Sequence, residues 1–208
     1  MRRVILLLTV MAAALVLGSG VALAVNKIGT DGPDTLRGTN GADNLLGQGG
    51  NDDLFGLRGS DNLLGGEGRD ALLGGNKHGG LGGGDKNLAG GAGNDFVLTG
   101  KGSDNAVGGE GNDYLFECCL RESSKDTLSG GSGNDLIDVW HKPAFKDIVV
   151  CGDGFDYVLA DPKDVVAPDC ERVRILQVHR FSVAELFDQS DRFYESIPQS
   201  FFEALPRF

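Results

Sequence analysis

The chain has 208 residues, 34 of them glycine, and sets 30 acidic side chains against 19 basic ones for a formal net charge of −11. That balance argues against nucleic acid or an anionic membrane surface as a partner and suits cations. Glycine at this level signals disorder in an aperiodic chain, but here it recurs at a fixed period, which argues for a solenoid.

Residues 1–24 read as a secretory signal peptide. Arg2 and Arg3 form the charged start, Val4 to Leu17 the apolar run, and Ala22-Leu23-Ala24 a small-x-small cleavage site, so the mature chain is expected to begin at Val25. The run is short for a span and ends in Gly18-Ser19-Gly20. No later segment is apolar enough to cross a bilayer, so the mature chain is expected to lack a transmembrane span. The expected location is secreted, either extracellular or associated with the cell surface. There the chain's four cysteines can oxidise, and weak calcium sites with dissociation constants of about 10⁻⁴–10⁻³ M can fill.

From Gly29 the chain repeats every nine residues: GTDGPDTLR, GTNGADNLL, GQGGNDDLF, GLRGSDNLL, GGEGRDALL, and again from Gly90, GGAGNDFVL, TGKGSDNAV, GGEGNDYLF. This is the Gly-Gly-x-Gly-x-Asp-x-apolar-x nonapeptide of a parallel β-roll. Place six holds Asp34, Asp43, Asp52, Asp61 and Asp70, then Asp95, Asp104 and Asp113. Place eight holds Leu36, Leu45, Leu54, Leu63 and Leu72, then Val97, Ala106 and Leu115. Places one to six are turn-like. Places seven to nine form a short strand that sends place eight inward and its neighbours outward. The apolar residues at place nine, among them Leu46, Phe55, Leu64, Leu73, Leu98 and Phe116, then form outward stripes.

Residues 74–89 break the frame: Gly79 stands where aspartate is expected, while Leu81 keeps an apolar place. We read this as a decayed, irregular coil and His78 as a solvated turn residue. Residues 117–129 read as one repeat with an insertion, in which Asp126 and Leu128 recover places six and eight; Asp135 and Ile137 follow in a further copy. Beyond Val139, strand signals led by Asp147, Asp156 and Asp164 give the last coils, to residue 170.

Cys151 and Cys170 lie 19 residues apart, close to one coil of two nonapeptides. Neighbouring parallel strands are about 4.7–4.9 Å apart, within the roughly 4.4–6.8 Å that a disulfide accepts. The two are therefore expected to staple the C-terminal end of the roll. Cys118 and Cys119 could bond to each other, to another chain or to nothing. Residues 171–208 carry no repeats. Ser182-Val-Ala-Glu185 is a capping box, and Val183, Leu186, Phe187, Tyr194 and Ile197 suit one helical face. A helical tail covering the open end or the side of the roll is expected; a docking or oligomerising segment is the other reading.

Two repeats make a coil, so Asp34, Asp52 and Asp70 stack on one side and Asp43 and Asp61 on the other. Calcium takes six to eight hard oxygens at about 2.3–2.6 Å, and such turns supply carboxylates and backbone carbonyls. Stacked carboxylates repel without the ion, so ion binding and folding are expected to be linked.

Residues 29–73 and 90–138 resemble the RTX, or haemolysin-type, calcium-binding repeats of bacterial exported proteins. The resemblance implies an all-β right-handed parallel β-solenoid, several Ca²⁺ ions held between adjacent turns by the sixth-place aspartates Asp34, Asp43, Asp52, Asp61, Asp70, Asp95, Asp104, Asp113, Asp126 and Asp135, and a roll that folds when calcium arrives. Related repeats are often appended to a toxin, protease or epimerase domain, for which this length is expected to leave no room.

The chain holds three histidines, His78, His141 and His179, and no His-Glu-x-x-His, Gly-x-Ser-x-Gly, Walker loop or dinucleotide fingerprint. Trp140-His141 reads as a loop. A non-enzymatic calcium-binding protein with a structural or adhesive role is expected, with calcium ions and a cell-surface polysaccharide or protein as partners. The alternative is a carbohydrate-acting extracellular enzyme on a β-helical scaffold, using a non-repeat acid such as Asp161 or Asp169.

Overall fold

A computed structural model describes residues 24–75, 84, 87–117, 124–140 and 144–176. Residues 1–23, His78, Gly79, Leu81, Cys118, Cys119, His141 and residues 177–208, with the capping box and helical face read there, lie outside these residues. The described chain is all β. Strands β1 (Asn26–Ile28), β3 (Asn44–Gly49), β5 (Asn62–Glu67), β7 (Asn87–Ala92), β9 (Asn105–Glu110), β11 (Thr127–Ser132), β13 (Ile148–Asp153) and β15 (Val165–Val166) stack in that order into one parallel sheet. Strands β2 (Thr35–Arg37), β4 (Asp53–Leu57), β6 (Ala71–Gly75), β8 (Phe96–Leu98), β10 (Tyr114–Phe116), β12 (Leu136–Asp138), β14 (Tyr157–Ala160) and β16 (Arg172–Ile175) form the second. Each coil contributes one strand to each sheet.

The alternation of the nonapeptide builds the interior. Place-eight side chains from both sheets, Leu45, Leu54, Leu63, Leu72, Val97, Ala106, Leu115, Leu128, Ile137, Val149 and Val158, are buried in one continuous cluster. One side chain from most strands, with a second from β13 (Cys151) and β14 (Ala160), leaves a thin core, so each of these residues matters. Burying a leucine contributes about 1.5–3 kcal/mol.

Coil length is 18 residues where the repeat is regular, 25 between Asp70 and Asp95, 22 between Asp113 and Asp135, and 21 between Asp135 and Asp156. The irregular stretch 74–89 thus falls within a single lengthened coil, which carries seven residues (25 − 18) beyond the regular length. Its apolar core residue is Leu88, fully buried and paired with Leu63. The frame resumes at Asn87-Leu88-Ala89, matching Asn62-Leu63-Leu64, before the glycines at 90 and 91.

The solenoid also runs further than residue 170. Residues 172–175, assigned to the tail from sequence, form β16 against β14. The last coils shrink, to 17 residues in one sheet and 15 in the other, and lose the glycine turn that marks a repeat. Cys151 and Cys170 are bonded, with Cα atoms 5.2 Å apart. Cys151 sits in the core, while Cys170 lies in the bend before β16 rather than on a neighbouring strand. Among the described residues no helix is long and apolar enough to cross a membrane.

Leu88→Ala should lower the stability of the folded protein by about 2–5 kcal/mol. Leu64→Ala, whose side chain is 48% exposed on the outer face, should cost less than about 1 kcal/mol. Denaturant melts of the two variants test the placement of Leu88 in the core.

Candidate metal centre

Each place-six aspartate sits where the turn enters a strand, and in most of them the carboxylate reaches back one coil, while that of Asp34, in the first coil, accepts from Thr30 of its own turn. In the turns feeding the second sheet, the N–H of Asp34 donates to Asp52 Oδ1, that of Asp52 to Asp70, of Asp70 to Asp95, of Asp95 to Asp113 and of Asp113 to Asp135, each at 2.8 Å. Asp135 continues to Asp156 at 2.7 Å, and Asp156 to Glu171 Oε2 at 2.9 Å. This column is unbroken from the first described coil to the last.

The other column is interrupted. Val25 donates to Asp43 at 2.7 Å and Asp43 to Asp61 at 2.8 Å. In the next coil the place before Asn87 is Lys86, which lies outside the described residues. The column resumes with Asp104 to Asp126 at 2.9 Å, Asp126 to Asp147 at 2.8 Å and Asp147 to Asp164 at 3.0 Å. Here the place-one glycine also gives way to Thr99, Glu117 and Val139, whose side chains are buried. Glu117, Asp126 and Asp147 each bring a carboxylate oxygen within 4.8 Å of the others.

The second oxygen of each carboxylate explains the glycine at place one. A Cβ on Gly47, Gly65, Gly90, Gly108 or Gly130 would strike Oδ2 of Asp52, Asp70, Asp95, Asp113 or Asp135, and also the backbone carbonyl one coil on. So Oδ2 and a carbonyl oxygen share one cramped space. In Asp52, Asp70, Asp95, Asp113, Asp135 and Asp156 this Oδ2 is buried and has no hydrogen-bond donor. A second glycine position carries the turn. Gly111 has φ +126° and packs on the carbonyl of Gly93, so a side chain there would meet both strain and backbone.

The chain therefore holds columns of buried anionic oxygens beside carbonyl oxygens. Hard oxygens of both kinds are what calcium takes, and a buried carboxylate oxygen without a donor is costly unless protonated or bound to a cation. The donor set fits Ca²⁺.

Asp34, Asp43, Asp52, Asp61, Asp70, Asp95, Asp104, Asp113, Asp126 and Asp135, read from the repeats, all fall in these two columns. Asp147, Asp156, Asp164 and Glu171 extend them without having been placed in the metal set. The Asp156 turn keeps glycines at 152 and 154, whereas the turns of Asp147, Asp164 and Glu171 lack the glycine pattern, so only their position before a strand could have signalled them. Sequence reasoning also missed an asparagine ladder at place five. Asn94 accepts from the N–H of Asn112, Asn112 from Asn134, and Asn134 from Phe155, at 2.7–2.8 Å. Asparagine beside the aspartate looks like ordinary turn chemistry, so its inter-coil role leaves no separate trace.

Burial raises the carboxyl pKa of Asp52, Asp70, Asp95, Asp113, Asp135 and Asp156 in the unbroken column, with the backbone N–H opposing the rise and the neighbouring carboxylates adding to it. Asp70 is pushed up to about 6, Asp95 and Asp135 to about 7 and Asp113 to about 8. Asp61 rises to about 6 and Asp164 to about 7 in the other column. A folded-state pKa above the unfolded value means the roll binds more protons than the unfolded chain. Without metal, stability is then fully present below the ordinary carboxylate range near pH 4 and falls as pH rises toward about 8. Circular dichroism in chelator should show strand at pH 4 lost by pH 8, and added Ca²⁺ should restore it at the higher pH.

The RTX calcium-binding nonapeptide repeat family matches the chain in four copies, over residues 28–63, 46–76, 81–115 and 123–139. Comparison with curated proteins and with solved structures returns no significant match. The matched stretches are the ones whose aspartates and glycines build the two columns. The chain is an RTX calcium-binding repeat protein.

Proposed function

We propose that this is an exported, non-enzymatic protein whose roll is folded and held by several Ca²⁺ ions lying between successive turns, with a structural or adhesive role at the cell surface. The observation that carries the reading is the run of buried, donorless Oδ2 atoms from Asp52 to Asp156. From Asp52 to Asp135, each faces a carbonyl of the neighbouring coil where a Cβ is forbidden. Asp52, Asp70, Asp95, Asp113, Asp135 and Asp156 would hold the ions on that side. Asp43 and Asp61, then Asp104, Asp126, Asp147 and Asp164, would do so on the other, where the Glu117 cluster suits the same cations. The ions would supply positive charge that lets anionic turns stack.

The location rests on the charged and apolar start of the chain and on the disulfide, which suits an oxidising compartment. An adhesive surface is available on the first sheet. There Asn44, Asn62, Asn87 and Asn105 link side chain to side chain in a row, beside apolar Leu46 and Leu64. Amides next to apolar surface suit a polysaccharide or a protein. The acids outside the repeats have structural partners: Asp161 accepts from the N–H of Lys163 at 2.8 Å, and Asp169 from that of Gly152 at 3.1 Å. This weighs against reading either as a glycosidase acid.

Calorimetric titration at pH 7.5 should show several Ca²⁺ bound, with a coincident gain of strand signal. Asp113→Asn should act with opposite signs in the two states. Removing a buried charge should stabilise the metal-free roll, while the calcium midpoint should rise by about tenfold, the equivalent of roughly 1.4 kcal/mol. A protein whose heat, melting point and backbone spectrum ignored Ca²⁺ would refute the reading.

A further inference from the structure

The two sheets differ on their outer faces in a way the repeat does not explain. Places seven and nine point outward in both. On the first sheet the apolar ones are half-buried, as Leu46 and Val107 are, or exposed, Leu64 by 48% and Val150 by 38%. On the second, Leu136 is 0% exposed, Leu159 1%, Leu73 8% and Tyr157 9%. Leu136, Tyr157 and Leu159 form a cluster separate from the interior, with Leu176 at 0% and with Tyr114 and Trp140 packed against it. The ring of Tyr114 stands edge-on to Phe96 at 5.5 Å and 6.1 Å from Phe116, so the aromatic stripe continues toward β8.

Leu176 is the last described residue, and it lies inside this cluster. The chain therefore leaves the roll on the outer face of the second sheet, at its C-terminal end. Thirty-two residues follow, including Val183, Leu186, Phe187, Tyr194, Ile197, Phe201, Phe202, Leu205 and Phe208. Sixteen of them, 182–197, would span about 24 Å as a helix. Five strand spacings, from β16 back to β6, also cover about 24 Å. The open end of the roll is a poorer match. Val173, in the place-eight register of the last coil, is 40% exposed, and Ile175 beside it 44%.

We propose that residues 177–208 fold back along the outer face of the second sheet and seal its aromatic stripe, leaving the end coil open and the asparagine face of the first sheet free. The occupant is this chain's own tail rather than a second copy. The tail starts within the cluster at Leu176, so its docking is intramolecular and needs no encounter. The inference depends on the roll being folded and not on which ion folds it.

Trp140 is the single tryptophan, and it packs on the cluster, so its fluorescence reads the seal. With the roll folded, as judged by its strand signal, deletion of residues 177–208 should shift Trp140 emission to the red and raise acrylamide quenching severalfold. A peptide of residues 177–208 added in trans should reverse both changes. If the deleted chain fails to fold, Phe187→Asp in the full chain should give the same red shift with the strand signal kept. Unchanged emission and quenching in a folded deletion variant would overturn the proposal. So would a full chain that sediments as a dimer and exposes Trp140 only on dilution, since a second copy would then be the cover.

Discussion

One hydrogen bond, repeated, organises this molecule: a backbone N–H given to the aspartate carboxylate one coil ahead. It fixes the register between coils, because along most of each column the donor and the acceptor are the same residue type at the same place in successive coils. It also orients the carboxylate. Once Oδ1 is held by the N–H of Asp95, for example, Oδ2 of Asp113 has only the space beneath Gly108, beside the carbonyl of Gly130. The glycine at place one and the aspartate at place six are thus a single device, and neither works without the other.

The same bond creates the difficulty that calcium resolves. It draws a file of carboxylates into a narrow interior margin, where burial favours their protonated forms. The thin core cannot easily carry that cost, since most strands contribute only one inward side chain. Protons or divalent cations must therefore accompany the folded state. The middle of the unbroken column, around Asp95, Asp113 and Asp135, is the most deeply affected. Carboxylates nearer the first coil, such as Asp34, keep solvent contact and find donors in Thr30.

Much of this was legible from residues. The period of nine, the paired columns and the inward leucines follow from the geometry of a half-coil repeat, and the family match supports the repeat reading; the Cys151–Cys170 pairing was also legible, although Cys170 sits between strands and not on a neighbouring one. What escaped was whatever the repeat did not encode in glycine. Leu88 was overlooked because the coil before it carries extra residues and has no aspartate at place six. Glu171 was taken for tail because the closing coil is short, although its carboxylate caps the column as an aspartate would. The buried outer face around Leu136 and Tyr157 was invisible, because an outward place in the pattern says nothing about what lies over it.

The disulfide gives the two ends of the solenoid unequal fates under load. Cys151 and Cys170 tie the final coils to each other, while the first coil is held only by its neighbour. Pulled from its two termini, such a stack would peel from the N-terminal side, one coil at a time. Each regular coil of 18 residues would release roughly 60 Å of chain at about 3.4 Å per residue, and the coil of 25 residues a longer step. The covalent stop would come last. Under tension such a stack would yield in instalments, and each peeled coil could zip back onto its neighbour when the load falls.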